Sequence, residues 1–366
     1  MAKKKKQQNN TTIIIVAVII VVILVALFII LWKTGTLDNL IPAPGDDSPS
    51  QEASTPADQS SSTPSGGNTS GQAVRAASVG TIDGTPIDIH FLNVGQGDAI
   101  LLDLPDDKCM LIDGGTTQNP PSPTKSGKET LQEGLASVTK NGVIDYMIVT
   151  HSDTDHFSLL SKVLDDYEVK NIYFNDLDEN SPVYTKTYYN FTQKAKAEEG
   201  ANIVAIDTPD DRTFTFTVAA CSFTIFSPGN DGFTKQSARI KNGMSLLTLL
   251  EYGGRKILFM GDATDEEEEW FIAYTEAYDM DVDFLKVAHH GSSSSNTTAF
   301  LNYVKAEYGV LSAGDYSNRY GLPAEDALQR LQQANVTYYR TDENGTILLT
   351  IDSDGDYAFS FEKEKE

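Results

Sequence analysis

The seven residues Thr150-His151-Ser152-Asp153-Thr154-Asp155-His156 constrain this chain more than any others. An apolar run at residues 144–150 leads straight into them and reads as a strand. Two imidazoles and two carboxylates lie just past the end of that strand, where a single loop can turn all four toward one point. Capping of the next helix would account for one of the four side chains, whereas a metal site accounts for all of them.

The chain has five histidines, His90, His151, His156, His289 and His290. The last two fall in Val287-Ala288-His289-His290-Gly291-Ser292, at the end of another apolar run. Neighbouring side chains on a strand point to opposite faces, so one of this pair is the expected ligand unless the strand has already ended. Which one it is stays open. A third apolar run ends in Gly261-Asp262. Alone this would read as a turn, but between two metal motifs Asp262 is placed to bridge two ions. Cys109 and Cys221 each lie in an apolar run, with no Cys-x-x-Cys pairing and no adjacent histidine. They read as buried thiols without a catalytic role, a single disulfide being the alternative.

Composition changes sharply along the chain. Residues 13–32 are 20 apolar residues without a charge, the length needed to cross a bilayer core of about 30 Å. The run exceeds a signal-peptide core and no small-x-small cleavage site follows it, so an uncleaved transmembrane helix is expected. Lys3, Lys4, Lys5 and Lys6 place residues 1–12 in the cytoplasm and everything after residue 32 outside the cell, as a single-pass protein of the cell membrane. Residues 33–80 are rich in Pro, Ser, Thr, Gly and Asp and read as a disordered extracellular linker. Beyond residue 33 there are 23 basic against 52 acidic side chains, a net charge of −29. Such a domain repels polyanions at long range, so a nucleic acid would have to be gripped locally.

Residues 81–366 alternate strand-like and helix-like segments and predict one α/β layered sandwich. Expected strands include 87–92, 99–104, 109–112, 144–150, 214–218, 222–226, 246–251, 256–260, 284–288, 309–312, 336–340 and 347–351. Expected helices are 130–139, 184–199, 265–276, 296–303 and 324–333.

His151-x-Asp153-x-Asp155-His156 resembles the HxHxDH signature of the metallo-β-lactamase fold, with Asp153 in place of the middle histidine. That replacement is typical of the extracellular hydrolase domain of ComEC-type DNA-uptake proteins. Further stretches match that family in order: Asn93-Val94-Gly95-Gln96-Gly97-Asp98, Ile112-Asp113-Gly114-Gly115, Asn242-x-x-Ser245, Gly261-Asp262, Lys286-x-x-His289-His290-Gly291-Ser292, Ser312-x-Gly314-x-x-x-Asn318-x-Tyr320-Gly321 and Arg340-Thr341-Asp342-x-x-Gly345. The resemblance covers nearly all of residues 87–351 and implies an αββα sandwich. There are departures. The family's many membrane helices are represented here by one, Leu322 stands where the family commonly has His, and Asn242 and Ser245 occupy the region of the missing third-motif histidine.

By this resemblance, His151 and Asp153 hold one metal ion and Asp155 and His156 a second. Asp262 bridges, and His289 or His290 completes the second site; Asp155, His156 and His290 are the expected catalytic groups. Asn93, Asp98, Asp113 and Lys286 would support them, although Asp98 and Asp113 read equally well as turn residues. The cofactors are two divalent ions, Zn or Mn, able to activate a water and clamp an in-line displacement. The expected function is hydrolysis of a phosphodiester substrate outside the cell, DNA or a small diester, with a single-strand end easier to accept than a duplex. The alternatives are a cell-envelope phosphodiesterase of the teichoic-acid phosphocholine type and a surface binding module without turnover.

Overall fold

In the strand Pro86–Phe91, Ile87, Ile89 and Phe91 are buried while Asp88 and His90 are only partly covered. That alternation turns one face of the strand into a core. The next two strands, Ile100–Leu104 and Lys108–Ile112, are apolar on both faces, as strands covered from both sides must be. Ile100, Leu102, Met110 and Ile112 meet Phe223, Ile225, Leu250 and Phe259 of a second sheet. Leu101, Leu111, Met147 and Ile172 point the other way, toward the helices Gly127–Val138, Leu160–Asp166 and Lys186–Lys196. The far side of the second sheet, with Leu258 and Leu285, is covered by Asp265–Tyr274, Thr298–Val304 and Glu325–Gln333. The layers are helix, sheet, sheet, helix, the αββα sandwich that the resemblance implied.

This computed structural model describes residues 78–117, 126–177, 181, 183–206, 212–229, 239–314 and 320–363. The expected transmembrane run at 13–32 and nearly all of the expected linker lie outside the described residues. Among the described residues no helix is long and apolar enough to cross a membrane. Ser78 and Val79, which composition assigned to the linker, pair with Ala358 and Tyr357 as a short edge strand.

The first sheet runs Ser78–Val79, Tyr357–Phe361, Ile347–Asp352, Pro86–Phe91, Ile100–Leu104, Lys108–Ile112, Tyr146–Ile148, Asn171–Asn175 and Asn202–Ile206. The second runs Thr213–Val218, Cys221–Phe226, Leu247–Tyr252, Arg255–Phe259, Phe284–Lys286, Tyr308–Leu311 and Thr337–Arg340. Within each sheet an antiparallel part gives way to a parallel part, at Lys108–Ile112 with Tyr146–Ile148 and at Arg255–Phe259 with Phe284–Lys286. Parallel strands present their carboxyl ends at one edge, where ligands of open α/β sheets gather. Asp113, His151, Asp262 and His289 all follow such ends.

The first described helix begins at Gly127, three residues ahead of the expected start. Ser126 Oγ accepts the Glu129 N–H at 3.2 Å and Glu129 accepts the Ser126 N–H at 2.7 Å, a capping box that ties up two orphan donors. Leu131, Leu135 and Val138 then form its buried stripe, each worth about 1.5–3 kcal/mol when fully covered.

Candidate metal centre

After the Tyr146–Ile148 strand, Asp153 starts a four-residue helical turn, Thr154–Phe157, without any side-chain capping bond. Capping therefore does not explain its carboxylate. Asp153 Oδ1 instead lies 2.9 Å from Lys241 Nζ. His156, one residue past Asp155 on that turn, is completely buried.

Hydrogen bonds fix the rings of three histidines by their Nδ1 atoms. Asp113 Oδ2 lies 2.7 Å from His156 Nδ1 and accepts the Thr150 hydroxyl at 2.6 Å, while its Oδ1 accepts the Thr150 N–H at 2.8 Å. His151 Nδ1 is 3.0 Å from the Thr150 oxygen, and His290 Nδ1 donates to the Ser312 carbonyl at 2.9 Å. Such bonds orient a ring and leave its Nε2 lone pair for another partner. All three Nε2 atoms face Asp262. Oδ1 of Asp262 is 3.3 Å from His156 Nε2 and 3.4 Å from His290 Nε2. Oδ2 is 3.8 Å from His151 Nε2 and 3.7 Å from His289 Nε2. Asp155 Oδ2 is 3.5 Å from His290 Nε2, and Asp153 Oδ2 is 3.9 Å from His151 Nε2.

His289 and His290 both reach Asp262 because the strand stops at Lys286 and not at the expected residue 288. A tight turn follows, with His289 at φ 50°, ψ 44° and His290 at φ 53°, ψ 23°. Non-glycine residues enter this left-handed region at a cost and persist there only when held. Asn296 does the holding: its Oδ1 accepts the Ala288 N–H and its Nδ2 donates to the Ala288 carbonyl, both at 3.0 Å. Asn296 is anchored in turn through its own N–H to Glu268, which also accepts the Thr297 N–H at 2.8 Å.

The arrangement fits divalent cations. The Nε2 atoms of His151, His156 and His290 and Oδ1 of Asp262 are buried without hydrogen-bond partners, a state that is costly unless something else pairs with them. Asp155, His156, Asp262 and His290 present ligand atoms within 4.8 Å of one another and could hold a metal ion. Asp98, Asp113 and His156 converge similarly, but Asp113 is committed to Thr150 and His156, and Asp98 lies 2.8 Å from the buried Lys286 ammonium. Neither of these aspartates is an ordinary turn residue.

Electrostatics follow from this crowding. Burial opposes ionisation of Asp262, yet His290, His156 and His289 outweigh it and hold its pKa well below the carboxylate range. Burial likewise opposes the Asp155 charge, but the neighbouring His290 and His156 bring its pKa down to about 2. Burial disfavours the His156 cation, but Asp262 and Asp113 raise its pKa well above the ordinary value. His151 and His289 are both lowered, chiefly by burial. Cys109 and Cys221 are buried free thiols pushed by burial up to about 11 and about 12, which makes both inert as nucleophiles.

An open cleft of about 250 Å³ lies over Asp153, Asp155, Asp262, His289 and His290. Gln96, Thr116, Thr154, Asn242, Tyr320 and Leu322 complete its lining. Every residue expected at the metal site is therefore gathered around Asp262. His90 takes no part; it sits in the Pro86–Phe91 strand near Asp88 and Asp103. The sequence reading missed the Lys241 contact to Asp153, although Lys241 precedes the Asn242-x-x-Ser245 motif. It also assigned no role to the Gln96 side chain.

Residues 92–230 match the Metallo-beta-lactamase superfamily, and this chain carries a domain of that superfamily. The curated relatives that it resembles include proteins of the ComEC type. ComE operon protein 3 of Bacillus subtilis (strain 168) is 28% identical over 268 residues, 71% of this chain and 32% of that protein. Recombination protein 2 of Haemophilus influenzae is 24% identical over 267 residues, 73% of this chain and 29% of that protein. The chain thus spans about a third of the length of these relatives. Among solved structures, the metallo-beta-lactamase fold protein YhfI from Bacillus subtilis aligns with 70% of this chain and 96% of its own at 12% identity and a TM-score of 0.44. Igni18, a metallo hydrolase from Ignicoccus hospitalis, aligns with 71% of this chain and 98% of its own at 14% identity and a TM-score of 0.43. Scores this low add nothing to the assignment.

Proposed function

We propose that this chain is a membrane-anchored, extracellular phosphodiesterase working with two divalent ions, Zn or Mn, on DNA ends or small phosphodiesters. The observation that carries the reading is the division of Asp262, whose two carboxylate oxygens each face two imidazoles. His151, Asp153 and His289 would hold one ion through Oδ2. Asp155, His156 and His290 would hold the other through Oδ1, which changes the expected grouping only by giving each histidine of the 289–290 pair its own ion. Such a pair supplies Lewis-acid polarisation and charge neutralisation at a phosphoryl group.

The chain's own residues do the positioning. Asp113 holds His156, the Ser312 carbonyl holds His290, and Lys241 steadies Asp153 from its outer oxygen. Three carboxylates beside four imidazoles make a hard donor set, suited to ions that bind phosphoryl oxygens. The name of one relative, Recombination protein 2, supports nucleic acid as a substrate. The acidic charge of the chain favours a short strand end over a duplex, since duplex affinity comes mainly from lysine and arginine at phosphates.

The full chain loaded with Mn²⁺ or Zn²⁺ should hydrolyse bis-p-nitrophenyl phosphate, and Asp155→Ala should abolish this. A wild type that binds metal and remains inert would make the chain a binding module. Faster turnover of a phosphocholine ester than of single-stranded DNA would move the substrate to the cell envelope. The anchor predicts sedimentation with membranes and release by a protease that cuts between residues 33 and 77; recovery in the soluble cytoplasm would refute it.

A further inference from the structure

The walls of the cleft carry chemistry that the metal cluster does not use. Gln96 is only 5% exposed, and its side-chain oxygen has no hydrogen-bond partner. Its position is fixed from two sides. A Cβ added at Gly314 would meet Gln96 N at 2.5 Å, and one added at Gly97, where φ is +142°, would meet the Asp155 carbonyl oxygen at 2.2 Å. The loop thus lies directly against the turn that carries Asp155. A buried acceptor left unpaired is destabilising, so a donor arriving with a ligand is its natural complement.

Tyr320 and Leu322 line the same cleft. Tyr320 is 58% exposed. Tyr320, Leu322 and Gln96 offer ring contact and hydrogen bonding to a ligand beyond its phosphate.

We infer that Gln96, Tyr320 and Leu322 form a subsite for a nucleobase next to the scissile phosphate; the inference rests on the phosphodiesterase reading above. The ring stacks on Tyr320 and Leu322, and an N–H on its edge donates to the Gln96 oxygen. A base in a duplex has its face stacked and its edge paired, so this subsite selects unpaired nucleotides. Stacking tolerates any base, as in other single-strand binders.

The test compares the dinucleotide of two thymidines with its abasic counterpart, in which both bases are replaced by hydrogen, using the full chain loaded with Mn²⁺. Wild type should prefer the base-bearing diester in kcat/KM by about 5- to 150-fold, the range expected for stacking one base on an aromatic side chain. Tyr320→Ala should bring that ratio close to one, mainly through KM, while Tyr320→Phe should preserve it. Gln96→Met should lower it by about 2- to 13-fold, as for one lost hydrogen bond. Equal turnover of the two diesters by wild type, or an unchanged ratio in Tyr320→Ala, would overturn the inference. If neither diester is hydrolysed, the phosphodiesterase reading fails and calorimetric binding decides the subsite. Preferential binding of the base-bearing compound that is lost in Tyr320→Ala upholds it, and equal or absent binding overturns it.

Discussion

Asp113 gives the sharpest handle on the metal centre. Its Oδ2 receives the Thr150 hydroxyl at 2.6 Å and sits 2.7 Å from His156 Nδ1, while Oδ1 takes the Thr150 N–H at 2.8 Å. In Asp113→Asn the amide oxygen can keep the backbone bond, but the amide nitrogen now confronts two donors. His156 escapes the clash by carrying its proton on Nε2, the atom 3.3 Å from Asp262 Oδ1, and so loses the lone pair that a cation needs. Loss of such an outer carboxylate costs about 10- to 100-fold in metal affinity, or about 1.4–2.7 kcal/mol. Competition of the full chain against a chromophoric chelator for Zn²⁺ or Mn²⁺ at pH 7.5 measures it, with the unfolding midpoint recorded alongside. An Asn variant that folds normally and binds within twofold of wild type would refute the reasoning.

Other outcomes follow from groups around the centre. Both oxygens of the buried Glu267 lack partners, and burial, then Glu268, raises its pKa well above the usual range. A raised folded pKa gives stability that is complete below the unfolded value and lost as pH climbs. Glu267→Gln should therefore be more stable than wild type by a margin that widens from pH 5 to pH 8, at up to about 1.36 kcal/mol per pH unit; parallel melting curves would contradict this. Asn296→Ala leaves the Ala288 N–H and carbonyl unpaired, so it should destabilise by about 2–3 kcal/mol and lower kcat by up to about 100-fold through misplacement of His289 and His290, as thermal melts and steady-state kinetics would show. Leu135→Ala, in the fully buried stripe of Gly127–Val138, should cost about 2–5 kcal/mol in a denaturant titration without changing metal stoichiometry.

The amino-acid sequence reveals whatever is local in the chain. His151, Asp153, Asp155 and His156 lie within one turn of each other, so their convergence is visible in spacing. Strands buried on both faces, such as Lys108–Ile112, stand out as short apolar runs. Long-range pairings were not legible. Asn202–Ile206 is a half-covered edge strand with an Asn start and no clear alternation, and its pairing with Asn171–Asn175 exists only in three dimensions. The shared role of His289 and His290 depends on a left-handed turn imposed by Asn296, six residues downstream of His290, and the role of Asp113 depends on a parallel neighbour. Lys241, in the short helix Arg239–Asn242 beside Asp153, and Tyr320, in the cleft wall, lie in or beside matched motifs, but their contacts are made by folding and cannot be read from spacing.

Elemental analysis of the purified full chain, after equilibration with Zn²⁺ or Mn²⁺ and removal of excess ion, tests the central claim most directly. A bridging Asp262 predicts about two ions per wild-type chain and one or none in Asp262→Ala. A wild type that retains no ion, or an Asp262→Ala variant that retains both, would contradict it.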